Sequence, residues 1–300
     1  MAVYKKTYRP YEGALTPSWS RFLVIPRYAF EDLQRSKFLT IAFYASFLPP
    51  LTFAVLIYVQ HNASVFNLVG AQGANRLISI NVSFFMAFLG WQSMLALFLA
   101  SFIGPGQVSP DLANNALALY LARPFSRIEY VLGKMSVLMV LLSLITWIPG
   151  LLLFGYQGYM EGGGWMSTNI RYASGIFFGS WIWIVVLSLL ALALSAWVKW
   201  KPAAGGLIFG VFFVAAGFGA TINGVQRTYW GSLFNIRYLI GSVWVWLFEG
   251  NANTSGGAVF FGSPQGEEVP LWCCWTALAA LCAICLYMLA RKIRGMEVVR

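Results

Sequence analysis

Read for apolar and polar positions, the chain falls into six long runs that are hydrophobic on every side. They lie near residues 38–60, 82–103, 131–155, 172–198, 203–222 and 270–290. Runs of about 20 apolar residues cross the hydrocarbon layer as helices, so the pattern predicts an all-α integral membrane protein with six transmembrane helices. A seventh apolar stretch, YWGSLFNIRYLIGSVWVWLF at 229–248, carries Arg237 in mid-run, and a seventh crossing would place the basic C-terminal tail on the outer side. It is expected instead to form interfacial or re-entrant helices in a long outer loop, about 223–269, with Trp230, Trp244 and Trp246 at headgroup depth.

Two polar-patterned stretches stand outside the runs. Before the first run, Trp19, Phe22, Leu23, Pro26, Phe30 and Leu33 share one helical face, while Arg21, Glu31, Asp32 and Arg35 point away. This predicts an amphipathic elbow helix lying in the inner interface, kinked or restarted at Pro26. It belongs to an N-terminal segment, 1–37, ahead of a six-span domain, 38–300. The second stretch is SPDLANNALALYLARPFSRIEYVLGK, residues 109–134. Ser109 suits an N-cap, Pro110 a first turn and Asp111 the positive end of a helix dipole. Pro124 ends that helix, and Ser126 with Glu129 forms a capping box that starts the next one. A short helix at about 109–124 is therefore expected between spans two and three.

Composition agrees: 59% of residues are hydrophobic and 10% charged, against about a quarter charged in soluble domains. The net charge of +10 is unevenly placed. All but Arg76, Arg171, Arg227 and Arg237 of the 20 Lys and Arg residues lie in the N-terminal segment, the 109–134 stretch, the fourth loop and the tail. By the positive-inside bias, both termini and the 109–134 stretch are cytoplasmic. The charge thus reads as topology and attraction to anionic lipids, with no nucleic-acid partner expected. The expected location is the cytoplasmic (inner) membrane of a bacterium. The first 37 residues show no cleavable signal peptide, so the first span is expected to act as the insertion signal. Glycosylation patterns at Asn62, Asn81 and Asn253 fall on or near the outer face.

Candidate chemistry is sparse. Within the runs only Lys134 is charged, near an inner end where it can snorkel to the headgroups. That disfavours a self-sufficient proton- or sodium-driven carrier and an ion channel with a charged ring. No P-loop, HExxH, paired carboxylates or serine–histidine set is present, so the chain is not expected to be an enzyme by itself. Cys273, Cys274, Cys282 and Cys285 read as core packing, with no metal site. His61 lies at an outer span end, and Glu161 to Gly164 reads as a turn. Gly206, Gly210 and Gly217 make a face for close helix approach, either within the chain or against a second copy. Pro49-Pro50 and Pro149-Gly150 predict kinks in spans one and three.

The run Asp111…Ala116-Leu117…Tyr120-Leu121-Ala122-Arg123-Pro124-Phe125-Ser126-Arg127…Gly133-Lys134, set between spans two and three of six behind an amphipathic elbow and ahead of a long last outer loop, resembles the permease subunits of type 2 ATP-binding-cassette (ABC) exporters. In that family the equivalent segment is the coupling helix that docks on the nucleotide-binding subunit. The resemblance implies two permease chains, identical or different, and two ATPase subunits, with ATP and Mg on the ATPase and no cofactor in this chain. It implies docking through Asp111, Asn114, Asn115, Arg123 and Arg127. Many members carry a glycine-threonine pair where this chain has Asn114-Asn115-Ala116. The uncharged spans suit an amphipathic or lipid-like cargo. The alternative is a non-transporting membrane scaffold that recruits a cytoplasmic protein through the same helix.

Overall fold

The computed structural model describes residues 28, 36–62, 79–114, 127–198, 200–249 and 269–294. Among them all regular structure is helical, and six helical stretches are long and apolar enough to cross a membrane: Lys37–His61, Val82–Asp111, Ile128–Glu161, Ile170–Trp197, Lys201–Gln226 and Leu271–Ile293. The six expected runs are thus present, extended by up to a few turns where polar residues continue a helix past its apolar stretch. The elbow helix falls almost wholly outside the described residues, as do 115–126 and 250–268.

Two spans are broken where the prolines predict. The first consists of α1 (Lys37–Ala45) and α2 (Leu48–His61), interrupted at Ser46 and Phe47 just before Pro49-Pro50. The third consists of α5 (Arg127–Ile145) and α6 (Trp147–Glu161), interrupted at Thr146 before Pro149. Proline has no N–H for the carbonyl four residues back and its ring crowds that carbonyl, so the helix bends there. The second span is α3 (Val82–Ile103), which continues as α4 (Pro105–Ala113). A short turn of helix, α7 (Trp165–Thr168), leads into the unbroken fourth span, α8 (Ile170–Trp197). The fifth span is α9 (Lys201–Gln226). A 3-10 turn at Trp230–Phe234 and α10 (Ile236–Glu249) follow, and α11 (Leu271–Arg294) closes the described chain.

Helix α8 is the axis of the bundle. Of its most apolar window 72% is buried, against 22% for the first and fifth spans, so those two lie at the periphery. One end of the bundle, called here the basic end, holds Lys37, α4, Arg127, Lys201 and Arg294; the far end holds His61, Glu161, Ile170 and Gln226. At the basic end the Phe38 ring meets Phe102 at 5.1 Å, and the Trp197 indole donates to the Met288 carbonyl at 3.2 Å.

Helix α10 has 14 residues, too few to cross the hydrocarbon layer. It runs antiparallel to α8, with Phe248 against Gly175 and Trp244 against Gly179 and the Trp183 ring. A Cβ on Gly175 or Gly179 would come within 3.0 Å of those rings, so the two glycines make the groove into which α10 fits. Arg171 closes the far end by donating to the carbonyls of Trp246 and Leu247, each at 3.1 Å. The Trp244 side chain is 1% exposed and its indole donates to the Gly179 carbonyl at 2.9 Å, so it is packed inside the protein. Trp230 and Trp246 are exposed.

Candidate functional site

The 109–134 stretch is built differently at its start from what its local signals suggest. No helix begins at Ser109. The second span carries through a bend at Gly104, where a Cβ would lie 2.7 Å from the Ala191 Cβ of α8, and resumes with Pro105 in the first turn of α4. Ser109 is interior to α4 and 3% exposed, so its reading as an N-cap is corrected. The Gly104-Pro105 pair upstream is itself a start signal, and it takes precedence because the bend packs against α8.

Ser195 of α8 joins α4 to the bundle axis. Its hydroxyl oxygen accepts from the N–H groups of Val108 at 3.2 Å and Ser109 at 3.1 Å, and the hydroxyl donates to the Pro105 carbonyl at 3.0 Å. Ser195→Ala removes these buried hydrogen bonds between α4 and α8 and lowers stability by about 1–3 kcal/mol, measurable as a reduced Tm of the detergent-purified protein.

The last turn of α4 is tied to α5. Asp111 Oδ2 lies 2.8 Å from Lys134 Nζ and accepts from the Tyr130 hydroxyl at 2.8 Å. Tyr130 and Lys134 are one turn apart on α5, and the ammonium sits 5.8 Å from the Tyr130 ring centroid. The Asp111 and Lys134 side chains are 16% and 12% exposed, which makes this a nearly buried, charge-assisted pair. Lys134 therefore spends its charge on Asp111 rather than on the headgroups. Asp111, expected to face a partner, faces its own third span.

The other expected docking residues divide between described and undescribed chain. Asn114 caps the C-terminus of α4, its N–H bonded to the Pro110 carbonyl, and is exposed. Arg127 is the first residue of α5, with only its backbone described. Asn115, Arg123 and the capping residue Ser126 lie outside the described residues. Glu129 occupies the first turn of α5, where its charge complements the helix dipole.

On α9 the glycines separate into two sets. Gly205 and Gly219 serve internal packing: a Cβ would lie 2.5 Å from the Ser101 carbonyl oxygen at one and 2.2 Å from the Gly231 oxygen at the other. Gly206, Gly210 and Gly217 meet nothing within 4 Å and point away from the rest of the described chain, beside exposed Leu207, Phe213, Val214 and Phe218.

Sequence reading missed a contact at the far end. His61 Nε2 lies 3.0 Å from Glu161 Oε2, and the Gln157 amide donates to the same oxygen at 3.1 Å. His61 Nδ1 is 3.0 Å from the Ile57 carbonyl, so it carries the proton of that hydrogen bond. The ends of spans one and three are joined there. The signal was the placement of the sole histidine and an acid at two predicted span ends on one side. The four cysteines are free thiols in α11, three buried and one partly buried, and no cluster of metal-ligating side chains occurs among the described residues. Compared with models of known protein families the chain matches none, and no curated protein matches it.

Proposed function

We infer that this chain is the permease subunit of an ATP-driven exporter of the type 2 ATP-binding-cassette kind, working with a separate nucleotide-hydrolysing subunit and exporting an amphipathic or lipid-like substrate. The observation that carries the reading is the construction of α4. It extends the second span out of the basic end, and is bolted to the fourth span through Ser195 and to the third through Asp111 and Lys134. A segment held by three spans at once transmits a push from outside the bilayer into all of them. In this reading the basic end is cytoplasmic, and the exposed Asn114 and the first residue of α5, Arg127, border the docking surface.

Two further features support it. The charges within the six spans lie within about two helical turns of an end, which leaves no mid-membrane carboxylate relay of the kind ion-driven carriers use. The open face of Gly206, Gly210 and Gly217 suits close approach of a second permease chain.

The test is purification in mild detergent. The expected preparation contains a P-loop ATPase and hydrolyses ATP. Asn114→Arg combined with Arg127→Glu is expected to reduce hydrolysis and ATPase retention by about tenfold, one decade corresponding to 1.4 kcal/mol of docking energy, while leaving the Tm of the permease unchanged. A partner that is retained but hydrolyses no nucleotide favours the scaffold reading, and an intact assembly without any nucleotide-hydrolysing subunit overturns the proposal.

A further inference from the structure

Pro50 and Pro149 each deprive one carbonyl of its helical donor, four residues back: Ser46 in the first span and Ile145 in the third. Both carbonyls are bonded by the same nitrogen. Gln92, in the middle of α3 and fully buried, donates from Nε2 to the Ser46 carbonyl at 3.1 Å and to the Ile145 carbonyl. A primary amide is suited to this because it carries two protons on one nitrogen. The opposite amide orientation would set Oε1 against two carbonyls, so the assignment follows from the partners. Oε1 is buried with no hydrogen-bond partner, an unfavourable arrangement in a membrane core. The gain must therefore lie with the nitrogen.

The second observation lies at the far ends of the same two helices, where His61 of α2 and Glu161 of α6 are joined at 3.0 Å. The first and third spans are thus linked at their far ends by this pair and, at their proline breaks, by Gln92. They also pack along their length, and Phe53 of α2 and Phe154 of α6 both meet aromatic rings of α3.

We propose that Gln92 is a pin that locks the proline breaks of the first and third spans to the second, so that α2 and α6 move as one body about that point. The pin bonds the Ser46 and Ile145 carbonyls while leaving the backbone on either side free to bend. It does not depend on the transport role proposed above, since it concerns how three spans of this chain are coupled whatever drives them.

The test is a cycle between the amide and the prolines. Gln92→Leu removes the donor at nearly constant volume and is expected to lower the Tm of the purified protein by about 5 °C or more. Pro50→Ala with Pro149→Ala returns an N–H to each carbonyl. In that background Gln92→Leu is expected to cost less than about 2 °C. An equal loss in both backgrounds overturns the proposal. A second measurement decides where the proline variants do not fold. Spin labels on Val55→Cys and Leu152→Cys, both exposed, in a background with the four native cysteines replaced by alanine, report the distance between α2 and α6 by pulsed EPR. The expected distribution is narrow with Gln92 and at least twofold broader with Gln92→Leu. An unchanged width overturns the pin.

Discussion

Replacing Asp111 by alanine is expected to destabilise the protein by about 3–5 kcal/mol, the range for stripping one partner from a buried ion pair. The loss comes from what remains. Lys134, 12% exposed beneath Tyr130, keeps its charge with no counter-ion, and the Tyr130 hydroxyl, on a residue 1% exposed, loses its acceptor. Lys134 can recover part of the cost by stretching toward the basic end, which places the effect toward the lower part of the range. Asp111→Leu together with Lys134→Met removes both charges and should return most of the stability, because well-packed apolar replacements of a buried pair are often neutral. Thermal unfolding of the two variants in detergent checks this. If the double variant is as unstable as the single one, the ion pair is not the source. The double variant also separates folding from coupling: with stability restored and the clamp between α4 and α5 gone, ATP hydrolysis by the proposed assembly should continue while transport falls.

Two adjacent glycines on α9 should respond in opposite ways. Gly205→Leu drives a Cβ to 2.5 Å from the Ser101 carbonyl oxygen, an atom of the backbone at the bend between α3 and α4. Neither helix can yield without losing its own packing, so the expected cost is about 3 kcal/mol or more and poor accumulation of folded protein. Gly206→Leu, one residue on, enters open space and should leave the monomer within about 0.5 kcal/mol. Its effect belongs to assembly: if the open glycine face receives a second permease, the substitution shifts the purified protein toward a monomer. Size-exclusion chromatography with light scattering reads the second outcome and thermal unfolding the first. A dimer unaffected by Gly206→Leu and Gly210→Leu together places the contact on another face.

Spans were the most legible part of the sequence because an unbroken apolar run needs no tertiary information. The proline breaks were legible for a similar reason, since the missing N–H is a property of the residue itself. The start of α4 was not. Ser109-Pro110-Asp111 carries the local marks of a helix N-terminus, yet the chain is already helical there, because the seat at Ala191 and the hydroxyl of Ser195 come from a helix about 90 residues away. Asp111 was expected at a docking surface, and its pairing with α5 was not foreseen, since those partners appear only when α4 and α5 are brought side by side. The glycines of α9 show the same limit. The spacing announced close helix approach, but which glycines serve the fold and which face outward depends on the orientation of α9 about its own axis. Gln92 carried no local signal at all: a single amide in an apolar run gains its meaning from two carbonyls on two other helices.

The central position of α8 has a mechanical corollary. Ser195 near one extremity holds α4, and Gly175 and Gly179 near the other cradle α10. Ser195 and Gly175 are 20 residues apart in one continuous rod, about 30 Å at the rise of an α-helix. With no proline or break in between, the rod has little axial compliance. A thrust delivered to its foot arrives at its head as displacement instead of being absorbed on the way, whereas the jointed first and third spans can fold around it.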